Sequence, residues 1–289
     1  MAEYKPGELK LIQELELEMY HDFKKICDEY HLTYFGYAGT GIGAIRHEGF
    51  IPWDDDIDIF MPRRDYEKLN RIVEKNWNHK YYILNTKNDR NYPLATTRMC
   101  LKGTTFKEEA MKDVDSPYGI FLDLYALDNA ADNPIAYQLQ MWSAWFWGKM
   151  LILRSVSEPV LSFYGPLTHV VTGACKLANK AMDALGVSKD WLYRKRESAN
   201  RKYSRKKTKR IGFFCDPTPY KLTFYNSDIY PLRELKFEDT TMPFPQELEK
   251  FLEKMYGDFM QLPPEDRRKS HCPYMLDFGP YRDRLKNEL

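Results

Sequence analysis

The stretch Gly39–Met61, GTGIGAIRHEGFIPWDDDIDIFM, carries the residues from which both fold and chemistry can be inferred. Carboxylate and apolar side chains alternate in its second half, Asp56–Phe60. Because successive side chains of a strand point to opposite faces, Asp56 and Asp58 are predicted to share one face. Two neighbouring carboxylates repel each other and Asp is a poor strand former, so folding alone does not favour this arrangement. A divalent cation would favour it, and the stretch therefore predicts a metal site.

The glycine-rich start of this stretch predicts an anion-binding turn. Thr33–Ala38 is rich in residues typical of strands, and a short helix is expected over Ile42–His47. Free backbone N–H groups at a turn and at the N-terminus of a helix bind phosphate oxygens. We therefore expect Gly39 and Thr40, which lie between the two elements, to contact a phosphate.

A third carboxylate lies in a second apolar segment. Gly119–Leu127, GIFLDLYAL, predicts a central strand that is buried, yet it contains Asp123 in its middle. A buried carboxylate is costly unless it is paired, so Asp123 is expected to bind a metal, or else to hold a backbone loop or an arginine. Three carboxylates around one or two Mg²⁺ or Mn²⁺ ions form an arrangement suited to phosphoryl transfer.

Two other motifs fit these residues less well. Asp54, Asp56 and Asp58 match the first three side-chain positions of an EF-hand calcium loop, but Ile59 replaces the required Gly and Asp65 the required Glu. The GTGIGA sequence also satisfies a loose dinucleotide-binding pattern. The interval before the acids is too short for the helix of a Rossmann βαβ unit. Both motifs are rejected.

The composition is that of an ordinary globular protein. The 289 residues are 43% hydrophobic and 29% charged, and the net charge of +1 gives no reason to expect a nucleic-acid partner. The five cysteines are scattered, which argues against a disulfide framework or a zinc knuckle. The N-terminus lacks an apolar signal segment, and no run of about 18 apolar residues occurs. A cytoplasmic protein is expected.

The element pattern predicts an α+β fold with a mixed β-sheet flanked by helices. Apolar residues at steps of three and four predict a first helix over residues 8–30. A shift in composition near residue 131 separates a catalytic core, residues 1–130, from a mainly helical part, residues 131–289, that completes the donor and acceptor site. The boundary is soft, and a single domain is the alternative.

Two segments of the second half have more than one interpretation. Ala136–Ser155 is rich in aromatic residues and predicts a core helix, the wall of an aromatic pocket, or a patch that docks a lipid-linked acceptor. Residues 190–210 are rich in Lys and Arg. They predict either a solvated helix face or a surface that docks on a polyanionic acceptor or peripherally on the inner face of an anionic membrane.

These residues resemble a known family. The sequence RHEGFIPWDDDID, with its flanks GTGIGAI and FMPRRDYEKL, is similar to the LicD family of phosphocholine and related sugar-phosphate transferases, which includes the fukutin-like proteins. The similarity continues in GIFLDLYALD, in YGDFMQLPPEDRR and in the following His271, and so covers most of the chain.

The resemblance implies a nucleotidyltransferase-like fold, metal dependence and a CDP-linked donor. By position it implies that Asp56 and Asp58 bind metal, that Asp123 is the third acid, and that Gly39 and Thr40 contact the donor phosphate. The zinc-binding cysteines of some fukutin relatives have no counterpart.

The expected reaction is transfer of phosphocholine from CDP-choline to a hydroxyl of a teichoic-acid, lipopolysaccharide or other cell-surface glycan precursor. The hydroxyl attacks the donor phosphorus in line, with Asp123 as general base or metal ligand and CMP as leaving group. Arg46 and Arg98 are candidates for neutralising phosphate charge. The quaternary ammonium of choline binds aromatic faces. The candidates for this role, chosen from aromatic-rich segments, are Tyr118, Tyr125, Trp142 and Trp145.

Three alternatives are retained. The first is transfer of another alcohol phosphate, such as glycerol or ribitol phosphate, from its CDP donor. The second is nucleotidyl transfer with release of pyrophosphate. The third is a nucleotide-binding module without enzymatic activity, against which the presence of all three acids argues.

Overall fold

The computed structural model describes residues 4–156, 166–215, 219–265, 268 and 270–287. Its α-helices are α1 (Glu8–Tyr30), α2 (Ala38–His47), α3 (Arg63–Asn76), α4 (Pro134–Ser155), α5 (Pro166–Ala184), α6 (Lys189–Asn200), α7 (Asn226–Ile229) and α8 (Leu248–Tyr256). Its strands are β1 (Phe35–Gly36), β2 (Asp58–Pro62), β3 (Tyr81–Leu84), β4 (Thr97–Leu101), β5 (Thr105–Lys107), β6 (Phe121–Ala130), β7 (Arg210–Gly212), β8 (Thr223–Tyr225), β9 (Arg233–Phe237), β10 (Thr240–Phe244) and β11 (Met275–Asp277). Short 3₁₀ helices span Glu109–Met111, Arg201–Tyr203 and Gly279–Asn287.

The main sheet has the strand order β1-β2-β6-β4-β3, and β7 joins β6 and continues to β8. The strands β2 and β6 pair in parallel, whereas the other pairs of this sheet are antiparallel. The predicted α+β fold with a mixed sheet is therefore confirmed.

The long strand β6 ties the two halves of the chain together. Its first part pairs with β4 through residues 121–124, and its last part pairs with β7 through Asp128–Ala130. Because β7 and β8 come from beyond residue 131, the sheet crosses the boundary suggested by composition. Buried residues from both halves, among them Leu124 and Phe251, also belong to one hydrophobic cluster.

The first helix is built as its periodicity predicts. Leu15, Met19 and Phe23 are buried on one face of α1, which ends at His31 in a left-handed conformation. Burying such a side chain contributes roughly 1.5–3 kcal/mol, so this face holds the helix on the core. The side-chain amide of Gln13 donates to the carbonyl oxygen of Asp54 at 2.8 Å, which places α1 against the segment that leads into β2.

The turn predicted at Gly39 and Thr40 is wrong. The strand before it is only Phe35–Gly36, and the helix α2 begins at Ala38, so both residues lie in its first turn. The physical reason is a tertiary contact, because the hydroxyl oxygen of Thr40 accepts the backbone N–H of Asp58 at 2.8 Å. This bond joins the start of the helix to the start of β2.

The strand predicted from Asp56 is shorter than expected. It begins at Asp58, so Asp56 lies in the irregular segment before it. The three consecutive residues Asp54–Asp56 carry side chains that repel each other, and Asp has poor strand propensity. The pairing of β2 therefore does not extend back through this segment.

The aromatic helix predicted in the second half is confirmed as α4, but only one face of it is buried. Met141, Ala144 and Leu151 are buried, whereas Leu139 and Trp142 are more than half exposed. Among the described helices, none combines the length and apolar character that crossing a bilayer requires.

Candidate active site

One row across the sheet carries two carboxylates and an arginine. Asp58 of β2 is the register partner of Asp123 of β6, which in turn is the partner of Arg98 of β4. Register partners on neighbouring strands project on the same face, so the three side chains lie side by side. All three line a cavity of about 440 Å³. We call this the acidic cavity.

The volume of the acidic cavity lies within the range of roughly 300–1,000 Å³ that is usual for small-ligand sites. Other polar side chains in its wall are Asp55, Asp56, Glu108, Tyr125, Tyr256 and His271. Aromatic and apolar side chains in its wall include Phe60, Phe106, Phe121, Phe213, Leu222 and Met255.

The backbone around Asp58 is fixed from both sides. Besides the bond from its N–H to Thr40, its carbonyl oxygen accepts the N–H of Tyr37 at 3.2 Å. The N–H of Asp123 donates to the carbonyl oxygen of Ile57 at 3.0 Å. The two carboxylates are thus held next to each other by main-chain bonds that do not depend on a ligand.

A second group of acids adjoins this row. Asp54, Asp55, Asp56 and His271 each offer one possible ligand atom, and these atoms lie within 4.8 Å of one another. Asp55 is buried, and its carboxylate accepts hydrogen bonds from the hydroxyl of Tyr4 and from the backbone N–H of His271 at 3.1 Å. Asp55 therefore anchors the two ends of the chain, which leaves Asp54 and Asp56 as the acids of this group that are better placed to bind a ligand.

His271 contacts Asp55 and also lines the acidic cavity. Its Nδ1 is 3.1 Å from a carboxylate oxygen of Asp55 and 4.0 Å from one of Asp56. The hydrogen bond with Asp55, reinforced by the charge of Asp56, raises the pKa of His271 to about 10 against the opposing effect of burial. The imidazolium form supplies a positive charge at this edge of the acids.

Burial and mutual repulsion raise the pKa values of Asp54 and Asp56. Burial, followed by the charges of Asp56 and Asp55, raises the pKa of Asp54 to about 8. Burial also raises the pKa of Asp56 to about 6, although the charge of His271 opposes it. The side chains are close enough to interact strongly, as they would around a shared cation.

The acids of the sheet row behave in the same way. Burial, with the charges of Asp56 and Asp123, raises the pKa of Asp58 well above its usual range. Burial raises the pKa of Asp123 to about 7, whereas the neighbouring Arg98 lowers it. The Oδ1 atom of Asp123 is buried and has no hydrogen-bond partner among the described residues.

Glu16 adds a further buried carboxylate from α1. Its side chain is fully buried, and neither carboxylate oxygen has a hydrogen-bond partner in the part of the chain that the structure describes. Burial, followed by the charges of Asp56 and Asp55, raises its pKa well above the usual range. A buried carboxylate without a donor is stable only when it is protonated or balanced by a cation.

These features fit a divalent cation. Mg²⁺ and Mn²⁺ prefer carboxylate oxygens. The acids at this site outnumber the cationic side chains beside them, His271 and Arg98. Asp56 and Asp58, which line the acidic cavity, would hold the ion, with Asp123 beside them as a further ligand or as general base and with Asp54 adjoining in the cluster. Three of these were predicted from the sequence, and Asp54 is added by its position in the cluster.

Gly39 has a steric role in this arrangement. A Cβ atom at this position would lie 2.6 Å from the carboxylate oxygen Oδ2 of Asp54. A larger residue would require that carboxylate to shift away from the first turn of α2. Gly39 and Thr40 do not themselves line the acidic cavity, and instead position Asp54 and Asp58.

The chain is similar in sequence to known proteins. Residues 31–116 match the family model described as LicD/FKTN/FKRP, nucleotidyltransferase domain. Over this segment the chain is similar to the LicD family. It is 26% identical to the lipopolysaccharide cholinephosphotransferase LicD of Haemophilus influenzae, over 86% of this chain and 90% of that protein. An uncharacterized protein of Rickettsia typhi is 29% identical over 41% of this chain and 36% of its own length.

The two predicted phosphate-binding arginines lie in different places. Arg98 lines the acidic cavity, pairs with Glu108 at 2.8 Å, and has buried Nε and Nη1 atoms without a hydrogen-bond partner among the described residues. Arg46 lies at the end of α2, where its Nη1 donates to the carbonyl oxygen of Phe259 at 2.8 Å, and it does not line the cavity.

Of the four aromatic residues predicted to bind choline, the structure places only Tyr125 in the wall of the acidic cavity. Tyr118 is buried against Tyr92, with ring centroids 6.1 Å apart. Trp142 lines a separate exposed groove on α4, and Trp145 packs against it. Aromatic richness identified α4, but that helix packs against α6 and reaches the cavity only near its end.

Sequence reasoning missed three participants. Asp55 was passed over because alternation favoured its neighbours, and His271 was noted only as part of the family resemblance. Glu16 had a signal of its own, since it lies four residues after Ile12 and three before Met19 on the apolar face of α1. A charged residue on the buried face of a helix indicates a paired or functional group.

Proposed function

We propose that this protein transfers phosphocholine from CDP-choline to a hydroxyl of a glycan, in a reaction that depends on a divalent cation. The observation that carries the proposal is the row of Asp58, Asp123 and Arg98 facing one cavity beside the acidic cluster. The cholinephosphotransferase named among the relatives supports the choice of group transferred, because the similarity covers most of both chains.

Mg²⁺ held by the acids would neutralise phosphate oxygens of the donor and help to align the attacking and leaving groups. The arginine of the row adds a fixed positive charge. The Nε and Nη1 atoms of Arg98, which lack partners among the described residues, are suited to donate to phosphate oxygens. Such charge-assisted bonds strengthen as negative charge develops in the transition state.

Asp123 is the residue we assign as general base. Asp123 lies beside Asp58 in the wall of the acidic cavity, and a carboxylate within reach of the reacting hydroxyl can accept its proton. Its unpartnered Oδ1 atom is available to accept the proton of the acceptor hydroxyl. Proton removal in this position would increase the nucleophilicity of the hydroxyl oxygen toward the donor phosphorus.

The aromatic wall of the cavity suits the choline group. Tyr125, Phe121, Phe213 and Tyr256 line the cavity that the acids also line. A quaternary ammonium gains roughly 0.5–2 kcal/mol from each well-placed aromatic face, and it has no N–H groups that need acceptors. Glycerol and ribitol carry hydroxyls instead, which gain nothing comparable from an aromatic face.

The acceptor in this proposal is a precursor of a cell-surface glycan, of the lipopolysaccharide or teichoic-acid type. Transfer takes place in the cytoplasm, where peripheral contact with the inner face of the membrane would bring the protein to a lipid-linked acceptor.

The test offers the purified protein a panel of CDP-choline, CDP-glycerol, CDP-ribitol and CTP with Mg²⁺, and measures CMP and pyrophosphate by chromatography. CMP release that is fastest from CDP-choline and increases with a glycan acceptor supports the proposal. Release from CDP-glycerol or CDP-ribitol alone would contradict the choice of alcohol. Pyrophosphate from CTP would contradict phosphocholine transfer and indicate a nucleotidyltransferase.

A further inference from the structure

A second and larger cavity of about 970 Å³ lies between α3, α6 and the connection from β3 to β4. Eight of its lining residues are Arg or Lys and only three are Glu. The whole chain has a net charge of only +1, so this concentration of positive charge is local. We call this space the basic cavity.

The sequence brings these charges together from two helices. On α3, residues from Arg63 to Glu74 recur at steps of three and four, and so share one face of the helix. On α6 and the turn that follows, the contribution includes Arg194, Arg196 and Lys202. These three belong to the basic run whose function the sequence left open, and the fold directs them to one space.

Part of this positive charge is not neutralised by the protein. Arg71 and Lys202 form no ion pair within the described part of the chain. Arg196 is only 4% exposed, and its Nε atom, 3.8 Å from a carboxylate oxygen of Glu197, has no hydrogen-bond partner there. A buried guanidinium that is incompletely bonded is unfavourable unless a ligand oxygen completes it.

The basic cavity also offers neutral groups that suit a carbohydrate. Asn70, Asn88 and Ser198 are in its wall, and the Oδ1 atom of Asn70 is buried without a partner among the described residues. Sugar hydroxyls donate and accept hydrogen bonds, and can therefore satisfy such side chains.

The two cavities meet beside the proposed general base. Ala95, Thr96 and Phe213 line both of them. The basic cavity therefore adjoins the acidic cavity along these residues, and Asp123 lies in the wall of the acidic cavity.

We propose that the basic cavity binds the acceptor, and that this acceptor is a carbohydrate that bears phosphate or carboxylate groups. The anionic groups are held by Arg71, Arg196 and Lys202, while the hydroxyl that reacts reaches the acidic cavity. The assignment as acceptor rests on the proposed function. The existence of a binding site for anionic carbohydrate does not.

The test is a binding titration that requires no turnover. Glucose 6-phosphate is titrated into wild-type protein by calorimetry, with glucose as the uncharged probe and CDP-choline as the donor probe. The variant carries both Arg71→Gln and Lys202→Gln, and the control is Arg64→Gln, an exposed residue of α3 that does not line either cavity.

The double variant is expected to weaken binding of glucose 6-phosphate by roughly three- to tenfold, since both cations are exposed to solvent. The control variant and the affinity for CDP-choline should stay unchanged, and glucose should bind more weakly than its phosphate. A saturating amount of CDP-choline should not displace glucose 6-phosphate.

Equal binding of glucose and glucose 6-phosphate, or equal affinity in wild type and double variant, would overturn the site. Displacement by CDP-choline would assign the basic cavity to the diphosphate of the donor and overturn its role for the acceptor. Since neither outcome depends on CMP release, failure of this inference is distinguishable from failure of the proposed function.

Discussion

Replacing Glu16 with glutamine is expected to stabilise the protein in the absence of divalent cations and to reduce its stabilisation by Mg²⁺. The side chain is fully buried beside the aspartates, and neither of its oxygens has a partner among the described residues. Glutamine has the same shape but no charge. Its amide can donate to a neighbouring carboxylate, which the native side chain can do only when it is protonated.

The size of the effect follows from proton linkage. An unfolded glutamate titrates near 4.5, whereas burial, together with the charges of Asp56 and Asp55, raises the folded pKa of Glu16 well above this value. The folded state therefore binds the proton more tightly. Its stability falls as the pH rises above the pKa of the unfolded glutamate. The loss is about 1.4 kcal/mol for each pH unit until the folded group also titrates.

This gives a ceiling of about 4 kcal/mol near pH 7.5. The buried amide of glutamine removes part of the gain, since an imperfectly bonded polar group costs about 1–3 kcal/mol. The expected net stabilisation of Glu16→Gln without metal is about 1–3 kcal/mol. This corresponds to a rise in Tm of about 2–5 °C for a chain of this size. Below pH 4.5 the effect should disappear, because the carboxyl group is protonated in both states.

The assay is urea denaturation of wild type and Glu16→Gln at pH 5 and 7.5, with EDTA or with Mg²⁺. Glu14→Gln is the matched control, because Glu14 lies on the same helix with its side chain 45% exposed. Equal or lower stability of Glu16→Gln in EDTA at pH 7.5 would refute the reasoning. So would an unchanged gain in stability on adding Mg²⁺.

Two further predictions concern the positions of groups around the acidic cavity. Gly39→Ala should displace the carboxylate of Asp54 and weaken Mn²⁺ binding in a calorimetric titration, whereas Gly173→Ala, a helical glycine with open space around it, should not. Equal affinities in both variants would show that Asp54 does not depend on this close approach. Tyr125→Leu should weaken CDP-choline binding by roughly three- to tenfold, consistent with the loss of one aromatic face. Trp142→Leu, outside the cavity, should leave that affinity unchanged. Weaker binding in Trp142→Leu and unchanged binding in Tyr125→Leu would indicate that choline binds at α4.

Local patterns predicted the elements well where burial follows periodicity. Apolar residues at steps of three and four located α1, alternation located the strand of Asp58, and an apolar run located the strand of Asp123, because one face or both faces of these elements are buried. The parallel pairing of β2 with β6 places Asp58 next to Asp123. The start of β2 could not be predicted in the same way, since the repulsion among consecutive aspartates competes with strand pairing.

Long-range contacts are what local patterns could not supply. Asp55 is held by Tyr4 and His271, which are 51 and 216 positions away in the chain. Arg46 and Arg98 look equivalent in sequence, and only the pairing of β4 with β6 places Arg98 beside Asp123. Aromatic content identified a conspicuous helix but carried no information on which side chains face the acids.

The most direct test of the central claim is the dependence of CMP release from CDP-choline on Mg²⁺ in wild type, Asp58→Asn and Asp123→Asn. Asp113→Asn, a change at an exposed aspartate outside both cavities, is the control. We expect saturable activation by Mg²⁺ in wild type and control. In the other two variants the rate of CMP release should fall by a factor on the order of 100 or more, while the circular dichroism spectrum stays unchanged. Turnover within a few-fold of wild type in either variant, or full turnover in EDTA, would contradict the claim.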